Sequence, residues 1–242
     1  MQYMFIHAID EGLQWQEGLE TEIQATLEVW LEESIRSGVN LQGSRLRPTS
    51  DATTVRVRHK EVVVTDGPFA ESKEQLAGYD VIECENVDEA LAWAAKHPTA
   101  LIGSIEVRPL FGDPPRMQLP EQKATTLRYL LVVTVDESVE LSAEEQTRMG
   151  PATEDWVAKA EAKGARLYGS RLEPASTAQT VRVLDGQVIV VDGPFAETKE
   201  QIAGFDVLEC ADLDEAIDLA AKHPMARFGA LEVRPFWPFE ES

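Results

Sequence analysis

One segment of ten residues occurs twice in this chain, and this repetition constrains the fold more than any other feature. Residues Asp66–Gln75 read DGPFAESKEQ, and Asp192–Gln201 read DGPFAETKEQ, 126 positions later. The same offset aligns most of both halves without a gap, from Tyr3 with Tyr129 onwards. A period this long that occurs only twice predicts two copies of one small domain rather than a solenoid of stacked repeats.

The domain boundaries follow from the limits of this alignment. We predict domains over residues 1–110 and 127–242, joined by a linker at residues 111–126 that is rich in proline and polar residues and lacks periodicity. Each half is close to the usual size of a domain and is long enough to bury a core.

Charge and cysteine content limit the classes of function. The formal net charge is −21, and a field of that sign repels phosphate backbones, so we expect no direct binding of nucleic acid. The sequence shows neither a signal peptide nor an apolar run long enough to span a membrane, which favours a cytoplasmic protein. Cys84 and Cys210 occupy equivalent positions, and we expect both to be buried, reduced thiols.

Hydrophobic periodicity predicts the order strand, helix, strand, hairpin, strand, helix, strand in each copy. Strand one (Tyr3–Ile9) and strand three (Tyr79–Cys84) are apolar on both faces, which is typical of central strands. Strand two (Gly43–Arg47) and strand four (Gly103–Arg108) alternate apolar with charged residues, which is typical of edges. This order predicts an α+β fold of two ferredoxin-like βαββαβ domains, each with an extra hairpin.

Turn and helix signals refine these boundaries. The hairpin is predicted to turn at His59-Lys60 in the first copy and at Asp185-Gly186 in the second. The first helix is predicted within about Glu17–Ser37. In the second copy Gly150-Pro151 interrupts this helix, and we expect a break there, with Pro151 opening a second piece.

The helices of such a domain cover only one face of its sheet. We expect the other face to carry Tyr3 and Phe5, with Tyr129 and Leu131 at the equivalent places of the second copy. Those apolar side chains need a cover, and the other copy supplies one. The sequence therefore predicts two sheets packed face to face as an intramolecular dimeric α+β barrel with a cavity between them.

The repeated motif also indicates a family. The run DGPFAE(S/T)KEQ(L/I)AG, preceded by TVRV and followed by DEA, AAKHP and EVRP, resembles the DGPF branch of the YCII-related proteins over nearly all of both halves. Members are typically single domains that pair as dimeric α+β barrels. The resemblance therefore implies that this chain is a tandem duplication that folds as its own pseudo-dimer.

The resemblance carries three further expectations. YCII proteins have a proposed Asp–His pair in a cleft, and they include relatives of chloromuconolactone dehalogenases. DGPF members are often encoded beside extracytoplasmic-function sigma factors, which implies such a factor as a partner. This chain departs from an Asp–His pattern on the first strand and helix, since His7 has only Val133 as its counterpart.

Two pairs of charged residues within the motif are candidates for a site. Asp66 and Asp192 enter Gly-Pro, where an aspartate often satisfies backbone N–H groups; the functional interpretation makes each a general base at the mouth of the barrel. Lys73 and Lys199 lie between glutamates, as in a solvated turn; the functional interpretation makes them cations for a carboxylate or phosphate. The sequence leaves both alternatives open.

Arginines that alternate with apolar residues on short strands form a third candidate group, and we expect them to share the sheet face opposite the leucines and valines. If they line the barrel, their guanidinium groups suit an anionic ligand; otherwise they form Arg–Glu pairs that stabilise the sheet. These ligand-binding candidates are Arg45, Arg56, Arg108, Arg171, Arg182 and Arg234, beside Glu106 and Glu232.

The histidines divide into two groups. His97 and His223 precede proline at the end of a helix, where capping of free carbonyls is the simpler interpretation. His7 lies on an apolar strand and is a candidate catalytic residue that would make the two copies unequal; a satisfied interior histidine is the alternative. Trp30 and Trp156 are predicted to be core residues of the first helix.

Motifs for metals and nucleotides are missing from the sequence. It has no zinc-ligand spacing, no phosphate-binding glycine loop and no GxSxG elbow, so we expect no metal and no cofactor. The first hypothesis is therefore a protein that binds a small polar or anionic molecule in the barrel cavity, with modest isomerase- or lyase-like acid–base chemistry. The second is a non-catalytic regulatory or interaction module that works with a sigma factor. Further homo-oligomerisation stays open.

Overall fold

A computed structural model describes residues 1–13, 18–139 and 141–237 of the protein. The first repeat contains β1 (Gln2–Ile9), α1 (Leu19–Arg36), β2 (Asn40–Arg45), β3 (Thr53–Arg58), β4 (Glu61–Asp66), β5 (Gln75–Glu83), α2 (Val87–Lys96), α3 (Thr99–Ile102) and β6 (Gly103–Pro109). The second repeat contains β7 (Leu127–Val135), α4 (Ala143–Ala162), β8 (Arg166–Arg171), β9 (Gln179–Leu184), β10 (Gln187–Asp192), β11 (Gln201–Cys210), α5 (Leu213–Lys222) and β12 (Ala230–Pro235). Three 3₁₀ turns lie at Thr49–Asp51, Ala175–Thr177 and Pro224–Arg227.

The chain folds into two compact units whose limits cut across the repeats. Unit one consists of Met1–Leu46, Ser72–Gln118 and Leu172–Glu197. Unit two consists of Arg47–Glu71, Leu119–Arg171 and Thr198–Ser242. Each unit therefore combines most of one repeat with the hairpin segment of the other repeat.

The described strands of each unit form one antiparallel sheet, and each sheet contains strands from both repeats. The strand order is β10-β9-β6-β1-β5-β2 in unit one and β4-β3-β12-β7-β11-β8 in unit two. The predicted central positions of strands one and three are confirmed, as is the edge position of strand two. The predicted edge position of strand four is wrong, because β6 pairs on its outer side with β9, with Ile105 opposite Val181. Likewise, β12 pairs with β3, with Leu231 opposite Val55.

Both predicted hairpin turns are confirmed. His59 and Lys60 have φ angles of 53° and 70°, and Asp185 and Gly186 have 51° and 73°. Two central residues with positive φ define the tight turn that matches the twist of the flanking strands. The long side chains of His59 and Lys60 adopt this conformation less easily than glycine does.

The helices cover one face of each sheet, and the core of each unit lies between them. In unit one Tyr3 and Phe5 pack with Trp30 and with Ala90 and Ala94 of α2. The predicted orientation of strand one was therefore wrong: Tyr3 and Phe5 face the helices. The equivalent residues of unit two, Tyr129 and Leu131, pack likewise against Trp156 and α5.

The opposite face of the first sheet is also buried. Met4 lies opposite Arg108, and Ile6 lies opposite Glu106; all four are at most 1% exposed. Because both faces of β1 are apolar and buried, the alternation alone could not decide which one meets the helices. The predicted packing of one copy on the other stays a prediction.

The first helix of the second repeat is continuous, so the predicted break at Gly150-Pro151 is wrong. Pro151 lies inside α4, which runs from Ala143 to Ala162. A proline removes one backbone N–H, but Thr147, whose carbonyl loses its partner, is exposed, so water can replace that bond. A capping box of Ser142 with Glu145 fixes the beginning of the helix. In the first repeat the predicted start, Glu17, lies outside the described residues.

Two smaller findings complete the fold. Cys84 and Cys210 are free and buried, as predicted. Burial raises the pKa of each thiol to about 12, which keeps both thiols protonated at neutral pH. None of the described helices is long and apolar enough to cross a membrane.

Candidate functional site

A buried carboxylate of the first sheet organises the candidate site. Asp80 is part of β5, opposite Phe5, and is only 5% exposed. Its neighbour across the strand pair β2–β5 is Gly43, and a Cβ atom there would collide with the carboxylate oxygen Oδ1. The absence of a side chain at Gly43 therefore makes room for a charged group that a sheet interior normally rejects.

His7 is the strongest partner of this carboxylate. Its Nε2 lies 2.8 Å from Asp80 Oδ2, and the ring is 5% exposed. A carboxylate only accepts hydrogen bonds, so His7 donates through Nε2–H. In the uncharged ring the other nitrogen, Nδ1, then keeps its lone pair. This Nδ1 is buried, and no group among the described residues hydrogen-bonds to it.

His97 completes a compact pair of imidazoles. Its Nδ1 accepts the backbone N–H of Thr99 at 3.1 Å, so in the uncharged ring Nε2 carries the proton. That Nε2 lies 3.8 Å from Asp80 Oδ2. Burial, and secondly the His7 ring, lower the pKa of His97 well below its ordinary value, so His97 is neutral at neutral pH. The indole of Trp30 packs edge-on against it, with ring centroids 4.6 Å apart.

Asn40 is the fourth member of the group. Its Nδ2 lies 3.4 Å from Asp80 Oδ1, and its Oδ1 is buried without a hydrogen-bond partner among the described residues. We call His7, Asn40, Asp80 and His97 the Asp80 cluster. It combines one carboxylate with two buried acceptor atoms that nothing in the described chain satisfies.

The equivalent place in unit two has different chemistry. Val133 replaces His7, and Arg166 replaces Asn40. Arg166 donates from Nε to Asp206 Oδ1 at 2.6 Å and from Nη1 to Glu161 at 2.6 Å. His223 Nε2 lies 4.0 Å from Asp206. The second cluster is therefore an ion pair without a free imidazole base beside it.

The group of His7, Asp80 and His97 also has a composition that metals accept. One ligand atom from each lies within 4.8 Å of the others. A metal ion would need the Nε2 lone pair of His97, yet that nitrogen carries the proton while Nδ1 accepts from Thr99. The arrangement therefore favours sharing of protons over binding of a metal.

The motif residues proposed from the sequence lie elsewhere. Asp66 and Asp192 end the exposed strands β4 and β10, and Asp192 accepts a hydrogen bond from Gln179 at 3.1 Å. Lys73 is exposed. Lys199 is 85% exposed, with Nζ 3.5 Å from Asp136. The structure thus groups His7 with Asp80.

Four of the six candidate arginines form ion pairs on the helix-free faces. Arg108 pairs with Glu106 and Arg234 with Glu232, and all four residues are at most 1% exposed. Arg182 binds Glu74 through both terminal nitrogens, at 2.5 and 2.8 Å. Arg56 binds Glu200 at 2.7 Å. These contacts match the Arg–Glu pairing that the sequence left open as the alternative to ligand binding.

The remaining two arginines correct the prediction that all six share one face. Arg45 lies opposite Gly78, which also pairs with His7, and Arg171 lies opposite Gly204, which also pairs with Val133. Directly opposed residues share a face of the sheet, so Arg45 and Arg171 are on the helix side. Both are exposed.

One surface groove in unit two is lined by two of the predicted cations, Arg56 and Lys199. It has a volume of about 360 Å³ and is lined in part by Arg56, Arg58, Phe69, Asp136 and Lys199. Arg58 donates to the carbonyls of Ala226 and Gly229, both at 3.0 Å, and so anchors the loop before β12. Because the cations of this groove already contact carboxylates or carbonyls of the protein, the groove is a weak candidate for an anion site.

The sequence reasoning found His7 but missed Asp80, and it assigned His97 only to capping. Asp80 lies in strand three, which was treated as apolar on both faces without regard to this residue. A usable signal was present: a carboxylate recurs in the middle of a buried strand in both copies, as Gly78-Tyr79-Asp80 and Gly204-Phe205-Asp206. A buried charge must have partners, which are His7 and His97 in the first copy and Arg166 in the second.

Comparison with known proteins identifies the fold family. The sequence model of the YCII-related domain matches the chain twice, over residues 1–112 and 127–240. The chain belongs to the YCII-related family. An uncharacterized protein of Rhizobium meliloti (strain 1021) is 52% identical over 68 residues, which is 27% of this chain and 55% of that relative. This YCII-related chain thus spans about half the length of that relative, and its tandem duplication is confirmed.

Proposed function

We propose that this YCII-related protein binds a small polar molecule at the Asp80 cluster and performs cofactor-free acid–base chemistry on it, with His7 as the base. The observation that carries this proposal is the bare, buried Nδ1 of His7 beside an Nε2–H held 2.8 Å from Asp80. The family resemblance, which implies an Asp–His pair, supports this proposal.

The dyad has the physical properties that a general base needs. Asp80 fixes the ring and its tautomer, so that the lone pair on Nδ1 has one direction. When Nδ1 takes a proton, the negative charge of Asp80 stabilises the imidazolium across the same hydrogen bond. A positioned base of this kind contributes roughly 10²- to 10⁴-fold to a rate.

His97 acts as a positioning residue in this proposal. Its neutral ring does not add a positive charge next to His7, since its pKa is lowered by burial and by His7 itself. Its Nε2–H faces the carboxylate that His7 uses, at 3.8 Å. Trp30 and Thr99 hold the ring from two sides. A small shift of Asp80 toward His97 would complete a second hydrogen bond.

A matched substitution tests the proposal. His7→Val introduces the residue that the second repeat already carries at this position, Val133, so the variant is expected to fold. In a screen of small carboxylates, lactones, alcohols and amines, we expect a compound that raises the melting temperature of the wild type and is slowly converted. In His7→Val its turnover should fall by about 100-fold or more.

Variants of the groove and of the repeated motif, the alternative site, define the result that would contradict the proposal. Arg56→Ala and Asp66→Ala alter the groove and the motif while leaving the Asp80 cluster intact. If the effect of the compound disappears in these two variants and persists in His7→Val, the proposed base is wrong. A panel that leaves every melting temperature unchanged also counts against the proposal.

A second candidate function, a regulatory or interaction module, is favoured by one observation. β4 and β10 end their sheets, and they expose runs of β-branched side chains: Val62, Val63, Val64, Val188, Ile189, Val190 and Val191 are between 38% and 57% exposed. Apolar edge strands are ready-made sites for strand addition. A sigma factor that co-purifies with the wild type but not with Val190→Lys would support this candidate.

A further inference from the structure

The Asp80 cluster has more hydrogen-bond acceptors than donors. Side-chain nitrogens of His7, His97 and Asn40 lie 2.8, 3.8 and 3.4 Å from the carboxylate oxygens of Asp80. His7 Nδ1 and Asn40 Oδ1 are left over, both buried and without partners among the described residues. Unpaired buried acceptors are costly, so the cluster is suited to a ligand that brings donors.

The equivalent position in unit two shows which donor group fits beside the buried aspartate. In unit two the guanidinium of Arg166 lies against Asp206 and above Gly169, so close that a Cβ on that glycine would collide with Nη2. In unit one the corresponding glycine is Gly43, and the atoms nearest to a Cβ built there belong to Asp80 and Tyr79 only. Asn40 is shorter than Arg166. In unit one, therefore, no atom of the Asn40 side chain corresponds to Nη2 of Arg166.

We propose that the Asp80 cluster takes a small organic cation with planar N–H donors, a guanidinium or amidinium group, which occupies in unit one the place that Arg166 fills in unit two. This inference rests on the proposed function and names the class of its substrate. Arg166 is then a built-in substitute for the ligand, and of the two clusters only the first lacks such a donor from the chain itself.

Electrostatics favours a cation over the anion that the sequence suggested. Asp80 presents a buried negative charge, and an anionic ligand would have to lie against it. Among the candidate cations, Arg56, Arg108, Arg182 and Arg234 are already paired with glutamates. The net charge of −21 raises the local concentration of small cations around the whole protein. A guanidinium also matches a carboxylate in shape, since it can donate two parallel hydrogen bonds.

Methylguanidinium tests this inference directly by calorimetry and by NMR of the histidine side chains, at concentrations too low to denature. The wild type is expected to bind one equivalent per chain, with shifts at His7 and His97. Asn40→Arg recreates the ion pair of unit two within unit one, so binding should weaken by at least about tenfold. Arg166→Asn opens the second cluster, so its melting temperature should fall and recover with methylguanidinium, at two equivalents per chain.

The outcomes separate this inference from the proposed function. His7→Val should still bind methylguanidinium, because Asp80 remains, although turnover of any substrate is lost. If the wild type binds no methylguanidinium while Arg166→Asn is rescued by it, the first cluster is not a cation site and the inference is overturned. If Asn40→Arg binds as well as the wild type, it is overturned too. Neither result affects the His7-dependent turnover by which the proposed function stands or falls.

Discussion

Replacing Glu106 by alanine is expected to lower the free energy of unfolding by about 3 to 5 kcal/mol, because it leaves the guanidinium of Arg108 buried without its counter-charge. Arg108 is fully buried and pairs with Glu106 on the same strand. The second carboxylate oxygen of Glu106 accepts the backbone N–H of Phe195 at 3.0 Å, so that donor also loses its partner. Urea denaturation monitored by tryptophan fluorescence measures the effect.

The pair itself is not a source of net stability. Burial raises the pKa of Glu106 more than Arg108 and Phe195 lower it, so the carboxylate is harder to ionise in the fold than in water. Removing both charges is therefore expected to be far less harmful than removing one. The double variant Glu106→Leu with Arg108→Met should recover most of the loss.

Two controls bracket this prediction. Glu232→Ala should cost as much as Glu106→Ala, because Glu232 pairs with buried Arg234 and accepts the N–H of Phe69 at 2.9 Å. Glu32→Ala breaks an exposed helix pair with Arg36 and should cost at most about 0.5 kcal/mol. A loss below about 1 kcal/mol in Glu106→Ala would show that water reaches Arg108, contrary to its burial.

The first repeat expressed alone, residues 1–126, is expected to fail as a folded monomer. Unit one needs β9 and β10 from the second repeat, since β9 covers the outer side of β6 and Val181 belongs to the core with Ile105 and Val107. Without them the chain exposes an unpaired strand and an apolar surface. We expect it to dimerise by exchanging its own hairpin, or to aggregate.

Light scattering after gel filtration distinguishes these states. A useful control adds residues 172–197 as a separate peptide, which supplies the missing hairpin and should shift the dimer toward a heterodimeric complex. A monomeric 1–126 fragment with cooperative unfolding would show that the hairpin of each repeat can return to its own sheet, and the exchange described here would then be unnecessary for folding.

Much of the fold could be predicted because local sequence determines it. Apolar residues on both faces identified the central strands β1 and β5, and turn chemistry located the hairpin at Asp185-Gly186. The exchange of hairpins could not be predicted. Val55 and Val181 occupy equivalent positions of the two hairpins, and each pairs with the last strand of the other repeat. Either hairpin could supply the same valine to either sheet, so the sequence does not show which one does.

The site was only partly predictable for a related reason. His7 could be recognised as a polar residue on an apolar strand. The room for Asp80 depends on Gly43, which becomes its neighbour only when β2 and β5 pair. The role of His97 depended on α3, whose first turn presents the N–H of Thr99 to its ring. Contacts between distant segments decide such roles, and one sequence does not show them.

The most direct test of the account is the protonation of His7, measured by long-range ¹H–¹⁵N NMR of the imidazoles; with 4 histidines in the chain, the signals can be assigned by substitution. The account predicts a proton on Nε2 and a bare Nδ1 for the uncharged ring of His7, with signals that shift in Asp80→Asn and stay unchanged in Asp206→Asn. A proton on Nδ1, or signals indifferent to Asp80→Asn, would contradict the claim that Asp80 holds His7 as a base.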